Sequence, residues 1–172
     1  MGGVMFCSDA DLSGDSVIFL AHQWNFFPGK QYTPSDFNEK SVTGGTFLTL
    51  GSFGNFSLGS TSEASNGTAT YRLTLSLPDT ARTYSLYLPE IFSAYTLYLN
   101  EEKVCSQGNP DPAHYQDLIG NKEISFTASG TVHITIIVTN YSHIYSGITY
   151  PPAFGTVTAI QKYLSTRLFI SG

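Results

Sequence analysis

Three successive stretches between Thr70 and Asn100 alternate apolar and polar side chains with a period of two. Tyr71, Leu73, Leu75 and Leu77 share one face of the first, with Arg72, Thr74 and Ser76 on the other. Tyr84, Leu86 and Leu88 repeat the pattern, and Tyr95, Leu97 and Leu99 repeat it again. Successive strand side chains point to opposite faces, so this alternation predicts strands buried on one side only, as in a sandwich of antiparallel sheets. A later stretch, with Val132, Ile134, Ile136 and Val138 opposed to His133, Thr135, Ile137 and Thr139, predicts another such strand. In a scaffold of this kind, function sits in loops at the sheet ends or on one concave sheet face.

At 172 residues the chain is one domain by length. A chain of this size buries roughly 70% of its unfolded surface and needs no metal or disulfide staple. Charged residues make up 12% of it, about half the usual share, and 14% are aromatic. Few charges with many Thr, Ser, Tyr and Gly suit an extracytoplasmic β-protein. A net charge of −5 and the lack of a basic run exclude nucleic acid as a partner. No stretch has the length of a membrane span, and Met1–Cys7 lacks the charged start and apolar stretch of a leader. Cys7 and Cys105 are the two cysteines. A bridge between them is one reading; two free thiols are favoured, because Cys7 lies in a Gly-, Ser- and Asp-rich stretch.

Residues 1–16 read as a flexible lead-in. Val17 to Phe27, an apolar run holding the sole tryptophan, Trp24, reads as one strand stopped by Pro28-Gly29. Tyr32 to Phe37 reads as a loop with one helical turn, Pro34 taking a first helical position that needs no N–H. Val42 to Phe56 suggests an irregular, bulged strand, and Gly59 to Gly67 an exposed loop. Lys103 to Ser106 completes a hairpin with the Tyr95 strand across Asn100-Glu101-Glu102. Two long connections follow, Gln107 to Gly120 and Asn140 to Pro152, with strands at Ile124–Phe126 and Gly155–Thr158 around them. Ala159 to Ile170 reads as a helix with Ile160, Tyr163, Leu164 and Leu168 on one face. Nine or ten strands and one short helix are expected, an all-β jelly-roll sandwich with a short C-terminal helix.

Several blocks of the sequence resemble the extracellular or periplasmic sensory domain of bacterial seven-transmembrane receptors with diverse intracellular signalling modules. They are Gln23-Trp24-Asn25-Phe26-Phe27, Thr33-Pro34-Ser35-Asp36-Phe37, Thr70-Tyr71-Arg72-Leu73, Leu88 to Tyr95 running into Leu99-Asn100, Val138 to His143, Gly147, and Phe154-Gly155. The resemblance implies a galactose-binding-domain-like jelly roll over residues 17–158. It implies further that residues 159–172 lead into a first transmembrane helix, and that the output module lies inside the cell.

Candidate site residues carry two readings each. Trp24 offers a face for a sugar ring, yet a single tryptophan in a sandwich belongs to the core. Arg72, on the polar side of its strand, suits bidentate recognition of a carboxylate or hydroxyls, or a surface ion pair with Glu90 or an Asp. The Asn140–Gly147 loop is the favoured ligand site: Asn140 and His143 supply directional donors and acceptors, and Tyr141 and Tyr145 supply faces. The alternative is that Asn140 and His143 tie the loop together through backbone hydrogen bonds. Tyr150, before Pro151-Pro152, lines the same end or forms a rigid corner; His114 and Tyr115 belong to the other long loop. The Tyr95 hydroxyl is expected to find one partner at the edge of the core, and His22 and His133 are expected to serve packing or surface. Asp9, Asp11 and Asp15 lack the fixed spacing of a calcium loop and read as a solvated segment.

No nucleophile, zinc or phosphate-loop motif is present, and nothing brings Glu90 together with Asp111 or Asp117 as a glycosidase pair. The expectation is therefore a ligand-binding domain and not an enzyme, with no catalytic residue, metal or cofactor. It is an extracytoplasmic, membrane-anchored sensor of a carbohydrate or small polar metabolite, acting in cis on the receptor's transmembrane and signalling modules. The rivals are a protein-interaction or homodimerisation module and a carbohydrate-binding module of a secreted enzyme.

Overall fold

Two sheets packed face to face form the body of the computed structural model, which describes residues 3–39, 42, 44–50, 67–89, 94–107, 122–140 and 151–171, with backbone alone at 107, 140 and 167–171. In chain order the elements are β1 (Val4–Phe6), β2 (Ile18–Phe19), β3 (Trp24–Pro28), α1 (Pro34–Asn38), β4 (Thr46–Leu48), β5 (Gly67–Ser76) and β6 (Arg82–Leu88). Then follow β7 (Ala94–Leu99), β8 (Glu102–Gln107), β9 (Lys122–Ala128), β10 (Thr131–Asn140), β11 (Ala153–Thr156) and α2 (Val157–Ser171). The larger sheet runs β4-β3-β5-β10-β7-β8, with β1 added parallel to β5; the smaller runs β2-β11-β6-β9. All other pairings are antiparallel.

The period-two reading holds for the core. Tyr71, Leu73 and Leu75 of β5, Tyr95 and Leu97 of β7, and Val132, Ile134, Ile136 and Val138 of β10 are buried on the inner face of the larger sheet. Tyr84, Leu86, Leu88 and Phe154 meet them from the smaller sheet in the same cluster. Trp24 is fully buried there, its Nε1–H donating to the Leu20 carbonyl at 2.7 Å, so it is core and not a stacking platform. The Tyr95 hydroxyl departs from expectation: it is buried without a hydrogen-bond partner of good geometry and faces the Cys105 thiol.

Three local readings change. The apolar run from Val17 to Phe27 is two strands, β2 in the smaller sheet and β3 in the larger. Between them Gln23 adopts φ 72°, a left-handed turn that lets the chain cross the sandwich. The segment expected as a loose lead-in carries β1, and beyond it Cys7 and Leu12 are buried in the core. The polar side of β6 is not solvated: Ser85 and Tyr87 are buried beneath α2, whose Ile160 packs with Tyr87 and Ala153. Alternation marks which face is more apolar; it does not reveal a helix laid over the other.

Each helix follows a threonine, α1 where its sequence was read to start and α2 earlier, taking residues 157 and 158 from the expected strand. Asp36 accepts the Thr33 N–H at 2.8 Å and its hydroxyl at 3.1 Å ahead of Pro34, closing the N-terminus of α1. Thr156 Oγ1 accepts the Ala159 N–H at 3.2 Å, so α2 begins two residues before Ala159. Cys7 and Cys105 are free thiols.

Candidate functional site

The register of the larger sheet builds a polar row on its outer face. Phe47 of β4 pairs with Asn25 of β3, Asn25 with Arg72 of β5, Arg72 with Thr135 of β10, and Thr135 with Tyr98 of β7. One step along, Thr74 pairs with His133, beside Asn100 in the β7–β8 turn. Members of a row come from strands far apart in sequence, brought together only by the order in which the strands pair.

The segment carrying α1 roofs part of this face. Thr70 Oγ1 donates to the Lys30 carbonyl at 2.7 Å and accepts the Tyr32 N–H at 2.9 Å, fastening the chain ahead of the helix. Phe27, Tyr32 and Phe37 then pack edge to face, with ring centroids 5.3, 5.5 and 6.0 Å apart. The Phe37 ring lies over Arg72, 4.0 Å from its guanidinium carbon. Thr135, beneath, is fully buried and accepts from Arg72 Nη1 at 3.1 Å.

Beside this roof lies a groove of about 230 Å³, lined by Pro34, Asn38, Arg72, Asn100, Glu101 and His133. Asn38 Nδ2 donates to Glu101 Oε1, bridging α1 to the β7–β8 turn. Asn100 takes φ 55°, a left-handed conformation asparagine tolerates well, and is locked to His133 by two bonds. Its N–H donates to the His133 carbonyl at 2.8 Å, and its Oδ1 accepts the His133 N–H at 2.9 Å. His133 Nδ1 sits 2.8 Å from Thr74 Oγ1, so Nε2 is the ring nitrogen left without a described partner.

Electrostatics follow from this enclosure. Burial pushes the Arg72 pKa down to about 10, a sign that its charge is poorly solvated. Burial, and secondarily the charge of Arg72, lower that of His133. Arg72 spends Nη1 on Thr135, while Nη2 and Nε make no hydrogen bond to a described residue. The groove is thus a hollow with a cationic wall, amide donors and acceptors at Asn38 and Asn100, and one carboxylate, Glu101. Its volume falls below the roughly 300–1,000 Å³ of pockets for drug-sized ligands, which sets the scale at a single sugar or small metabolite. A second hollow of about 300 Å³, lined by His22, Gln23, Phe47, Leu48 and Thr49, lies by β4. There His22 Nδ1 is engaged with Thr49 Oγ1 at 3.1 Å.

Of the residues singled out from sequence, Arg72 is in the groove, its described partners a ring and a hydroxyl instead of a carboxylate. Asn140 ends β10, five positions beyond Thr135 and so roughly 17 Å along the strand from the Arg72 row. Tyr141, His143, Tyr145 and Tyr150 lie outside the described residues, as do Glu90, Asp111, His114, Tyr115 and Asp117. Asp9 pairs with Arg82 at 2.6 Å, Asp15 with Lys162 at 2.7 Å, and Asp11 accepts from Ser8. Among the described residues no group of three or more His, Cys, Asp or Glu could hold a metal ion. No helix among them is long and apolar enough to cross a membrane. Asn38, Asn100, Glu101 and His133 were missed as site residues. The one available signal was the polar parity that His133 shares with Arg72 on alternating strands.

No family model matches the chain, and no curated protein does. Solved structures share its fold. The beta-glucuronidase of Faecalibacterium prausnitzii matches with a TM-score of 0.59 at 13% identity, over 83% of this chain and 32% of that one. A GH2 beta-galacturonidase from Eisenbergiella tayi bound to galacturonate matches with a TM-score of 0.55 at 13% identity, over 82% and 24%. The beta-glucuronidase of an uncultured Clostridium species matches with a TM-score of 0.55 at 16% identity, over 81% and 28%. At such identities the likeness shows the fold, a galactose-binding-like β-sandwich. The chain spans about a quarter to a third of the length of the enzymes it matches.

Proposed function

We propose that this chain is a ligand-binding β-sandwich module that takes a carbohydrate or small polar metabolite in the groove beside Arg72. The observation that carries this reading is a half-buried arginine, held flat by Phe37 and Thr135, with two of its nitrogens uncommitted to described residues. Folding a protein around a poorly solvated cation costs free energy, and a ligand that hydrogen-bonds the cation offsets that cost. The groove's amides, imidazole and carboxylate are the directional partners that hydroxyl-rich ligands require. Nothing in it resembles a paired acid and nucleophile, so the role proposed is binding without catalysis or cofactor.

The wider setting follows the sequence resemblance: an extracytoplasmic sensory domain, membrane-anchored, acting in cis on transmembrane and signalling modules. The packing of α2 supports it. The helix is joined to the smaller sheet through Ile160 and Tyr163 and through Gln161 to Glu123 at 2.7 Å, and to the segment ahead of β2 through Lys162 and Asp15. In this reading, a rearrangement of the sandwich on ligand binding would reach α2 through these contacts. The sandwich fold shared with glycosidases favours a second reading, an accessory carbohydrate-binding module of a larger enzyme.

A thermal-shift screen against sugars and small polar metabolites tests the binding role, since a ligand that binds the folded state raises the melting temperature. Arg72→Lys, Asn140→Ala and His143→Ala are compared with the parent chain. A shift lost in the first variant alone places the ligand in the groove; one lost in the other two alone moves it to the loop after β10. No shift with any compound turns the reading toward a protein-interaction module.

A further inference from the structure

We propose that the groove selects a hydroxylated carboxylate of hexuronate size, its carboxylate seated on Arg72 and its hydroxyls on Asn38, Asn100, Glu101 and His133. This rests on the groove being the ligand site and goes further by naming the ligand's charge. The guanidinium is the reason. One of its faces is covered by Phe37 and Nη1 is spent on Thr135, so what it offers a ligand is Nη2 and Nε. A planar fork of this kind matches a carboxylate in a bidentate way, two parallel N–H···O bonds joining opposite charges where a lone hydroxyl accepts from one nitrogen and brings no charge.

The rest of the wall fixes the other half of the ligand. Glu101 already accepts from Asn38 Nδ2, and its spare lone pairs accept from hydroxyls while repelling a second anion. Asn100 is held by its paired bonds to His133, and His133 by Thr74, so neither must be ordered on binding. The charged and titratable groups lining the groove are Arg72 from β5, His133 from β10 and Glu101 from the turn. Asp36 of α1 is engaged by Thr33. An anion on Arg72 favours the protonated form of His133, so ligand binding takes up a proton there, and acid sugars bind more tightly as pH falls toward and below 6.5.

The experiment is calorimetric titration of the 172-residue chain with galacturonate, glucuronate and gluconate, beside galactose, glucose and glycine, with and without Arg72→Lys. Nuclear magnetic resonance of the imidazoles runs in parallel, with His22 as internal reference. At least one hydroxy acid should bind tenfold or more tighter than its neutral counterpart. Arg72→Lys should erase that preference, and His133, not His22, should shift and titrate higher when ligand is present. Where the lysine variant fails to fold, the imidazole shifts of the parent chain decide the matter alone. Neutral and acidic sugars binding alike, with His133 shifting for both, would overturn the carboxylate assignment and leave the groove as a sugar site. Glycine binding in preference to the hydroxy acids would overturn it in favour of a zwitterion spanning Arg72 and Glu101. No binding of any probe, or binding that leaves His133 unmoved, would overturn the groove along with it.

Discussion

The guanidinium carbon of Arg72 lies 4.0 Å from the centroid of the Phe37 ring, so a cation of the larger sheet is roofed by an aromatic side chain of the one-turn helix α1. Sixty-three residues further along the chain, Thr135 accepts one of its hydrogen bonds. Three separate elements thus hold one guanidinium, which makes its position sensitive to changes that touch no ligand.

Phe37→Leu is the first such change. The ring's attraction for the cation, roughly 0.5–2 kcal/mol, disappears. The edge-to-face contacts of Phe37 with Phe27 and Tyr32, each about 0.5–1.5 kcal/mol, go with it. Urea unfolding should show a loss of about 1–3 kcal/mol, discounted because the ring is half-buried, and any ligand of the groove should bind more weakly. A variant as stable as the parent would mean that the roof contributes nothing.

Gly45 sets the distance between β4 and the aromatic cluster. It adopts φ 100°, and a Cβ there would meet Phe27 Cε1 at 2.6 Å and Asn25 Oδ1 at 2.9 Å. Gly45→Ala should therefore cost about 2–4 kcal/mol through strain and overpacking together. Gly14 has φ 69° with nothing within 4 Å, so Gly14→Ala should cost only the backbone strain, about 1–2 kcal/mol. Equal denaturation midpoints for the two variants would rule out the steric argument.

His133 gives the stability a pH dependence. Its folded pKa lies below the ordinary 6.5, chiefly from burial and then from Arg72, so the unfolded chain binds the proton more readily than the folded one. The contribution is complete above about pH 6.5 and is lost as pH falls through and below that value. Melting temperatures recorded from pH 8 to pH 5 should fall on the acid side, and less steeply in His133→Asn. Parallel curves would remove His133 as the source.

The two thiols are expected to be inert in the folded protein. Burial and the nearby Asp11 carboxylate push Cys7 up to about 11, and burial raises Cys105 as well. The thiolate is the reactive form, so both should react slowly with a disulfide reagent at pH 8, Cys7 the slower, and rapidly once unfolded. Equal rates before and after unfolding would contradict the buried placement of Cys7.

Much of the scaffold was legible because its signals are local. Pro34 after Thr33, with Asp36 three residues from the cap, marks a helix start wherever it occurs. Asn100 in the β7–β8 turn advertises a left-handed residue, although the pairing of Leu99 with Glu102 shortens the turn to Asn100-Glu101. The run from Val17 to Phe27 misled for the opposite reason. Continuous hydrophobicity looks the same whether a strand stays in one sheet or crosses to another, and the crossing depends on Gln23, a residue with no special turn propensity. Cys7 misled likewise, since polar neighbours hid a side chain drawn into the core by the pairing of β1 with β5.

The amino-acid sequence by itself determined that this chain builds sheets with Tyr71, Tyr84 and Tyr95 on their buried faces, because alternate side-chain direction is a property of each extended strand alone. It also put Arg72, Thr135 and His133 on the polar side of their strands. Only the tertiary structure decided that β5 lies between β3 and β10, that α1 folds back over that face, and that the β7–β8 turn closes the hollow beside it. Period-two patterns label faces but not neighbours. A groove made from residues 34 to 133 exists only once the non-local pairings that bring them together have formed.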